Sequence, residues 1–195
     1  MTFRLGLTGS IGMGKSSTAA IFAAEGLPVW DADAAVHRLY AAGGAAVGPV
    51  GALCPPAVRD GSVSRETLKQ YIAQDPKLLP AIEAAVHPLV AQDRASFLAS
   101  STADIIVFDI PLLFEKGGEA EMDGTLLVTA PAALQRARVL ARPGMTEAQF
   151  QLILSRQMPD SQKRARATHI VETLSPEQTA AYVRALITHI RNNHA

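Results

Sequence analysis

Gly9-Ser10-Ile11-Gly12-Met13-Gly14-Lys15-Ser16 satisfies the pattern G-x-x-x-x-G-K-S/T at every fixed position. A short apolar run, Phe3 to Thr8, precedes it, and a helix-compatible stretch from Lys15 to Ala24 follows until Gly26-Leu27-Pro28 stops it. The order is therefore strand, Gly-rich turn, helix. Glycines let the backbone close around phosphate oxygens, and the N–H groups at the start of the helix point at the anion along a favourable dipole. Lys15 adds a mobile positive charge for the terminal phosphates. The Ser16 hydroxyl suits Mg²⁺, and Ser17 a phosphate nearer the nucleoside. Gly12, Met13, Gly14, Lys15, Ser16 and Ser17 are thus the expected nucleoside triphosphate site.

Working outward, Val29-Trp30 leads into Asp31-Ala32-Asp33, a second short strand ending in acids. Ile105 to Phe108 and Thr125 to Val128 are unbroken apolar runs of the kind that parallel strands buried on both faces require, and His169 to Val171 is a fifth candidate. Helical patterns occupy 64–73, 76–86, 88–100, 131–141, 146–157 and 176–191. Strands alternating with helices predict an α/β protein, a five-stranded parallel sheet flanked by helices in the P-loop fold. The gap from Asp33 to Ile105 far exceeds one crossover helix. The expected plan is a single domain with a core (about 1–35, 103–130 and 167–195), a helical substrate-binding insertion (about 36–102) and a helical lid (about 131–166).

Eighteen basic residues balance eighteen acidic ones, so no global field attracts nucleic acid or an anionic membrane, and any anion site must be local. Residues 131–166 supply it: seven basic side chains (Arg136, Arg138, Arg142, Arg156, Lys163, Arg164, Arg166) against two acids, Glu147 and Asp160. The competing interpretation is a solvated helical face. Lone Cys54 cannot form an internal disulfide, and no run approaches the roughly eighteen apolar residues that cross a bilayer. A cytoplasmic enzyme without nucleic-acid or membrane partners is expected, as a monomer or weak homo-oligomer.

Asp33 lies one helix and one strand beyond Lys15, which brings both to the carboxyl edge of the sheet, where ligands bind. There a carboxylate can accept a hydroxyl proton, or orient the hydroxyl and hold magnesium; the plain alternative is a helix N-cap. Asp109 ends an apolar strand and has the form of an acid that binds Mg²⁺ directly or through water. His37, His87 and His169 share no metal-ligand spacing, so no zinc site is expected.

Across nearly the whole chain the residues resemble the dephospho-CoA kinase family. Gly6 to Lys15 is similar to its opening, Asp31-Ala32-Asp33 with His37 to its second-strand motif, and Asp60-Gly61 with Arg65 and Leu68 to the segment after it. His87-Pro88 is similar to its His-Pro step, and Asp109-Ile110-Pro111-Leu112-Leu113-Phe114-Glu115 is the most specific match. Pro131, Gln135, Arg138, Arg142, Gly144, Arg156 and Gln157 resemble its lid. The resemblance implies transfer of the terminal phosphate of ATP, with Mg²⁺, to the ribose 3′-hydroxyl of dephospho-CoA. It implies Asp33 as general base, Lys15 and Ser16 at phosphates and metal, Arg142 over the transferring group, and an acceptor pocket of Thr8, His87, Leu112, Leu113 and Phe114. Leu53-Cys54-Pro55-Pro56, Ala91 and the stretch from Ala167 to Thr173 depart from the family pattern. A nucleoside or nucleoside monophosphate kinase would share the loop, Asp33 and an arginine lid, but does not account for residues 109–115. A GTP-dependent switch needs an Asn/Thr-Lys-x-Asp segment, which the chain lacks.

Overall fold

A computed structural model describes residues 2–194. Along the chain, β1 (Phe3–Thr8) leads through the glycine-rich loop into α1 (Lys15–Ala24) and then β2 (Val29–Asp31). Next come α2 (Ala32–Tyr40), α3 (Val47–Leu53), the short strands β3 (Val58–Arg59) and β4 (Ser62–Val63), α4 (Arg65–Gln74) and α5 (Leu78–Ser100). The chain continues through β5 (Ile105–Asp109), β6 (Gly124–Thr129), α6 (Ala132–Leu140), α7 (Glu147–Ser155), α8 (Asp160–Arg166), β7 (His169–Glu172) and α9 (Pro176–His194). Contacts group these elements into two units: Asp31–Ser101 forms one, and the residues up to Trp30 with those from Thr102 onward form the other.

The unit containing both termini is built on a five-stranded parallel sheet of order β2-β5-β1-β6-β7. Every residue of β5 and of β6 is buried, as continuous apolar strands covered on both faces must be. Their neighbours fix the register: Leu7 of β1 lies opposite Asp109 of β5, and Thr8 lies opposite Leu127 of β6. β1 is central, and chain order departs from it toward β5 on one side and β6 on the other. That reversal makes the carboxyl ends of β1 and β5 the natural crevice for a ligand. Helices α1 and α9 pack on each other, and Phe22, Val183, Leu186, Ile187 and Ile190 join the strand side chains in one core.

The unit Asp31–Ser101 has its own apolar cluster, including Leu39, Val50, Cys54, Leu68, Ile82 and Val86. Its hairpin turns at Asp60-Gly61, both with positive φ (49° and 72°), the pair that a two-residue turn of matching twist demands. Two expectations are corrected here. The two helices expected at 76–86 and 88–100 are one 23-residue helix, Leu78–Ser100, with Pro88 inside it, so the His-Pro step loses one helical hydrogen bond without ending the helix. Asp33 sits in the first turn of α2 rather than at a strand end.

Candidate active site

The loop after β1 is shaped by its glycines. Gly12 and Gly14 have φ of 76° and 91°, in the left-handed region. A Cβ on Gly12 would stand 2.4 Å from Val139 Cγ2, and one on Gly14 would stand 2.8 Å from Thr173 Oγ1. Gly14 begins α1 without a side-chain cap, and no acid occupies the first turn. The first helical bond runs from Thr18 N–H to the Gly14 carbonyl, so the amides of Gly14, Lys15, Ser16 and Ser17 have no acceptor within the helix. Ser16 and Ser17 are exposed. The result is an uncapped helix N-terminus that favours an anion by both its free N–H groups and its dipole.

Lys15 Nζ donates to Asp109 Oδ1 at 2.5 Å, with Asp109 only 2% exposed. Two sequence-expected residues, 94 positions apart, are therefore in contact at the strand ends. Ser16 and Asp109 together offer hard oxygen donors, a set that fits Mg²⁺, which completes its shell with waters and phosphate oxygens. Among the described residues no cluster of three or more His, Cys, Asp or Glu could hold a metal alone.

Ile11 and Met13 of the loop are bonded within the protein. Met13 is buried; its N–H donates to the Ser10 carbonyl and its Sδ accepts from Ala130 N–H at 3.0 Å. Ile11 is clamped from both sides, its carbonyl taking Gln135 Nε2 at 2.8 Å and its N–H donating to Gln157 Oε1 at 3.1 Å. Thr173 Oγ1 donates to the Met13 carbonyl at 2.8 Å, while Arg138 donates to Thr173 Oγ1 at 2.9 Å and to its carbonyl at 2.5 Å. Sequence reasoning placed Gln135 and Gln157 in the lid resemblance without assigning them the phosphate loop as partner, and gave Thr173 no role, because partners more than thirty positions away leave no periodic signal.

The basic excess of residues 131–166 is largely consumed internally. Arg136 pairs with Glu147, Arg138 holds Thr173, Lys163 meets Glu115, Arg164 meets Asp160 and Glu172, and Arg166 meets Glu119. Arg142, in the turn after α6, and Arg156, after α7, are exposed with no side-chain partner among the described residues. The solvated-face and anion-site interpretations thus divide: five cations are structural, and two are available to an anion.

On the acceptor side, Thr8 is fully buried and donates to the Pro111 carbonyl at 3.2 Å, which ties the end of β1 to the segment after β5. In that segment Leu113 and Phe114 are buried, whereas Leu112 is 37% exposed. Of these three side chains, only Leu112 presents apolar surface to solvent. In the unit Asp31–Ser101, His87 is exposed on α5. Asp31, not Asp33, caps α2: its Oδ1 accepts from Ala34 N–H at 2.8 Å. Asp33 is exposed, and its carbonyl faces Arg65 Nη2 at 3.4 Å. A cavity of 540 Å³ lined by Thr2, Asp104, Arg191 and His194, among others, opens at the opposite strand ends, away from this chemistry.

A parallel sheet with an uncapped phosphate loop, a loop lysine on a strand-end aspartate and free arginines beyond α6 and α7 defines a P-loop phosphotransferase. The profile of the family described as dephospho-CoA kinase matches residues 3–177. A dephospho-CoA kinase of Cereibacter sphaeroides is 71% identical over 189 residues, covering 97% of this chain and 96% of the relative. One from Ruegeria pomeroyi is 58% identical, with both chains fully covered. A Thermus thermophilus crystal structure superposes with a TM-score of 0.86 at 36% identity, covering 100% of this chain and 99% of that one. The fold alone is shared with dephospho-CoA kinase from Campylobacter jejuni (TM-score 0.73, 19% identity, 100% of both chains). It is likewise shared with shikimate kinase from Acinetobacter baumannii (0.57, 14%, 100% of this chain and 96% of that one). The chain belongs to the dephospho-CoA kinase family, and it is a phosphotransferase acting on an alcohol group. Membership sets aside the switch and the nucleoside kinase. No helix among the described residues is long and apolar enough to cross a membrane.

Proposed function

We propose that the chain moves the terminal phosphate of ATP onto the ribose 3′-hydroxyl of dephospho-CoA in the cytoplasm, and that its residues divide the work as follows. The observation that carries the proposal is the Lys15–Asp109 contact under the uncapped start of α1. Amides of Gly14, Lys15, Ser16 and Ser17 receive the phosphate chain, and the Lys15 ammonium passes from Asp109 to the terminal phosphates. Asp109 and Ser16 offer the oxygens that would hold Mg²⁺, which when bound would neutralise charge on the phosphate oxygens. Arg142, exposed and unpartnered, supplies aligned donors to the equatorial oxygens of the group in flight, where charge is greatest in the transition state. Asp33, relieved of capping by Asp31, accepts or orients the acceptor hydroxyl. Leu112 and His87 contact the acceptor, while Thr8, Leu113 and Phe114 act by shaping the segment that Leu112 stands on.

A coupled ADP-release assay across acceptors tests this. Dephospho-CoA with Mg-ATP should raise ADP release far above the acceptor-free rate, with adenosine and nucleoside monophosphates poor substitutes. An unchanged rate on adding dephospho-CoA refutes the proposal.

A further inference from the structure

The phosphate chemistry makes no use of a second group of charges that includes one of the most deeply buried cations in the chain. Glu115, the last residue of the segment Asp109–Glu115, accepts the Met158 N–H at 2.8 Å and faces Lys163 Nζ at 2.8 Å. The Lys163 side chain is 0% exposed and that of Glu115 14%. The approach is charge against charge rather than an aligned hydrogen bond, and Glu115 Oε2 is buried without a partner. Burial pushes the Glu115 carboxyl up, but Lys163 and the N–H groups of Met158 and of Glu115 itself outweigh it and hold it below the ordinary range. Beside this pair Arg166 meets Glu119 and lies over the Phe114 ring, 5.4 Å from its centre.

A buried ion pair is a poor device for stability, because apolar side chains of equal volume serve as well or better. Its value here lies in what it connects. Met158 directly follows Gln157, the residue that holds the Ile11 N–H of the phosphate loop. Two consecutive residues in the turn between α7 and α8 therefore grip different loops, and one planar peptide unit joins the grips. Glu115 holds one loop and Ile11 belongs to the other.

We propose that Glu115 is a positioning residue: closed on Lys163 and on the Met158 N–H, it locks the acceptor-side segment 110–117 to the turn that delivers Gln157 to the phosphate loop, so that the two loops order together. The inference rests on the family assignment for what the loops bind, and on the geometry alone for their coupling. Substrate seated on one side then finds the other side already in place. That arrangement suits a reaction in which an error of about 1 Å costs on the order of 100-fold in rate.

Two double variants test it, each removing both charges so that no lone ion is left buried. Glu115→Leu with Lys163→Met also abolishes the acceptor for Met158 N–H, whereas Glu115→Gln with Lys163→Met retains one. Amide exchange is followed in the substrate-free protein over residues 9–14 and 110–118, with β5 as reference. The Leu pair should accelerate exchange in both segments by roughly tenfold or more while β5 stays protected. Its turnover at saturating substrates should fall roughly 10- to 100-fold. The Gln pair should recover most of both losses. Acceleration confined to 110–118, uniform acceleration that includes β5, or a Gln pair no better than the Leu pair would each overturn the coupling. If the Leu pair does not fold, Gln157→Met is read instead: coupling is reciprocal, so exchange in 110–118 must rise with that in 9–14, and an unchanged 110–118 sinks the proposal. Exchange is measured without substrate, so a parent protein inactive on dephospho-CoA would count against the reaction and leave this readout intact.

Discussion

Two aspartates separated by a single alanine do different jobs at the start of α2, and the structure lets substitution tell them apart. The Asp31 carboxylate accepts a hydrogen bond from the Ala34 N–H, so Asp31→Ala should cost about 1 kcal/mol of stability, the usual worth of an N-cap. Asp33 is exposed and caps nothing. Asp33→Asn should therefore leave the thermal midpoint at the parent value while lowering turnover roughly 100- to 10,000-fold, the range of general acid–base assistance. Turnover measured at rising Mg²⁺ divides the mechanisms: rescue by metal assigns Asp33 to the cation, an unrescued deficit to the acceptor hydroxyl, and undiminished turnover removes it from the site. Lys15 is less separable. A loop lysine aimed only at phosphate would be dispensable for folding, but this one is the ammonium partner of Asp109, which is 2% exposed. Lys15→Ala should accordingly abolish most turnover and also lower stability by roughly 1–3 kcal/mol, the cost of stripping a partner from a buried acceptor. Parallel melts and ADP-release rates check both arms, and a midpoint equal to the parent's would show that the pair holds nothing in the free enzyme.

Between residues and whole molecule stands the segment 131–166, where charge counting and contacts give different pictures. Arg136 lies in the middle of α6 and Arg142 just beyond its end; Arg136 is paired with Glu147 in a largely exposed bridge, and bridges of that kind contribute about 0–1 kcal/mol. Arg136→Ala should thus be nearly silent in kinetics and melting. Arg142→Ala should lower turnover more than acceptor affinity, and Arg142→Lys should restore only part of it, since an ammonium cannot make two aligned bonds to phosphate oxygens. Steady-state kinetics on the three variants decide it; equal effects of Arg136→Ala and Arg142→Ala would mean that lack of an acid partner does not select the cation that serves the reaction. Elements differ in how plainly their sequence announces them. The strands were legible, because β5 carries the apolar run Ile105–Phe108 and β6 the run Leu126–Val128, as parallel strands covered on both faces require. The phosphate loop was, because its glycines answer a steric demand at Gly12 and Gly14. Helix α8, Asp160-Ser161-Gln162-Lys163-Arg164-Ala165-Arg166, was not: its one buried side chain is Lys163, so no apolar period marks it. Helix α3 was hidden in the same way by Gly48, Pro49 and Gly51, and Pro88 was overread as a break in α5. The clamp on Ile11 escaped because glutamines carry no periodicity and meet the loop only through tertiary structure.

Over the whole molecule, linked protonation should give stability two separate declines toward acid. Five carboxylates are held below their ordinary range: Asp123 by hydrogen bonds from Arg4, Asp104 by Arg191, and Glu115, against the pull of burial, by Lys163 and backbone N–H groups. The other two are exposed, Glu147 held by hydrogen bonds from Gln151 and Arg136, and Glu177 by those from its own N–H and Ser175. A carboxyl group whose folded pKa is depressed stabilises the native state above its unfolded value, and that contribution is lost as pH falls through the folded value. The carboxylate decline therefore belongs below about pH 4.5. His169 on β7 moves in the same direction but higher. Burial lowers its pKa, and His189 of α9, with ring centres 5.9 Å apart in an edge-on arrangement, lowers it further. The folded state then binds its proton less readily than the unfolded chain, so stability present above about pH 6.5 begins to fall there as pH decreases. One such group limits the slope to at most about 1.4 kcal/mol per pH unit. Urea titrations between pH 7.5 and 3 should show a shallow loss from near pH 6.5 and a steeper one below about pH 4.5. His169→Gln, which keeps a polar side chain and cannot take up a proton, should flatten the first decline and leave the second where it was. A parent curve level down to pH 5 would mean that the unfolded chain holds His169 no more basic than the native one, and an equal first decline in His169→Gln would place the titrating group elsewhere.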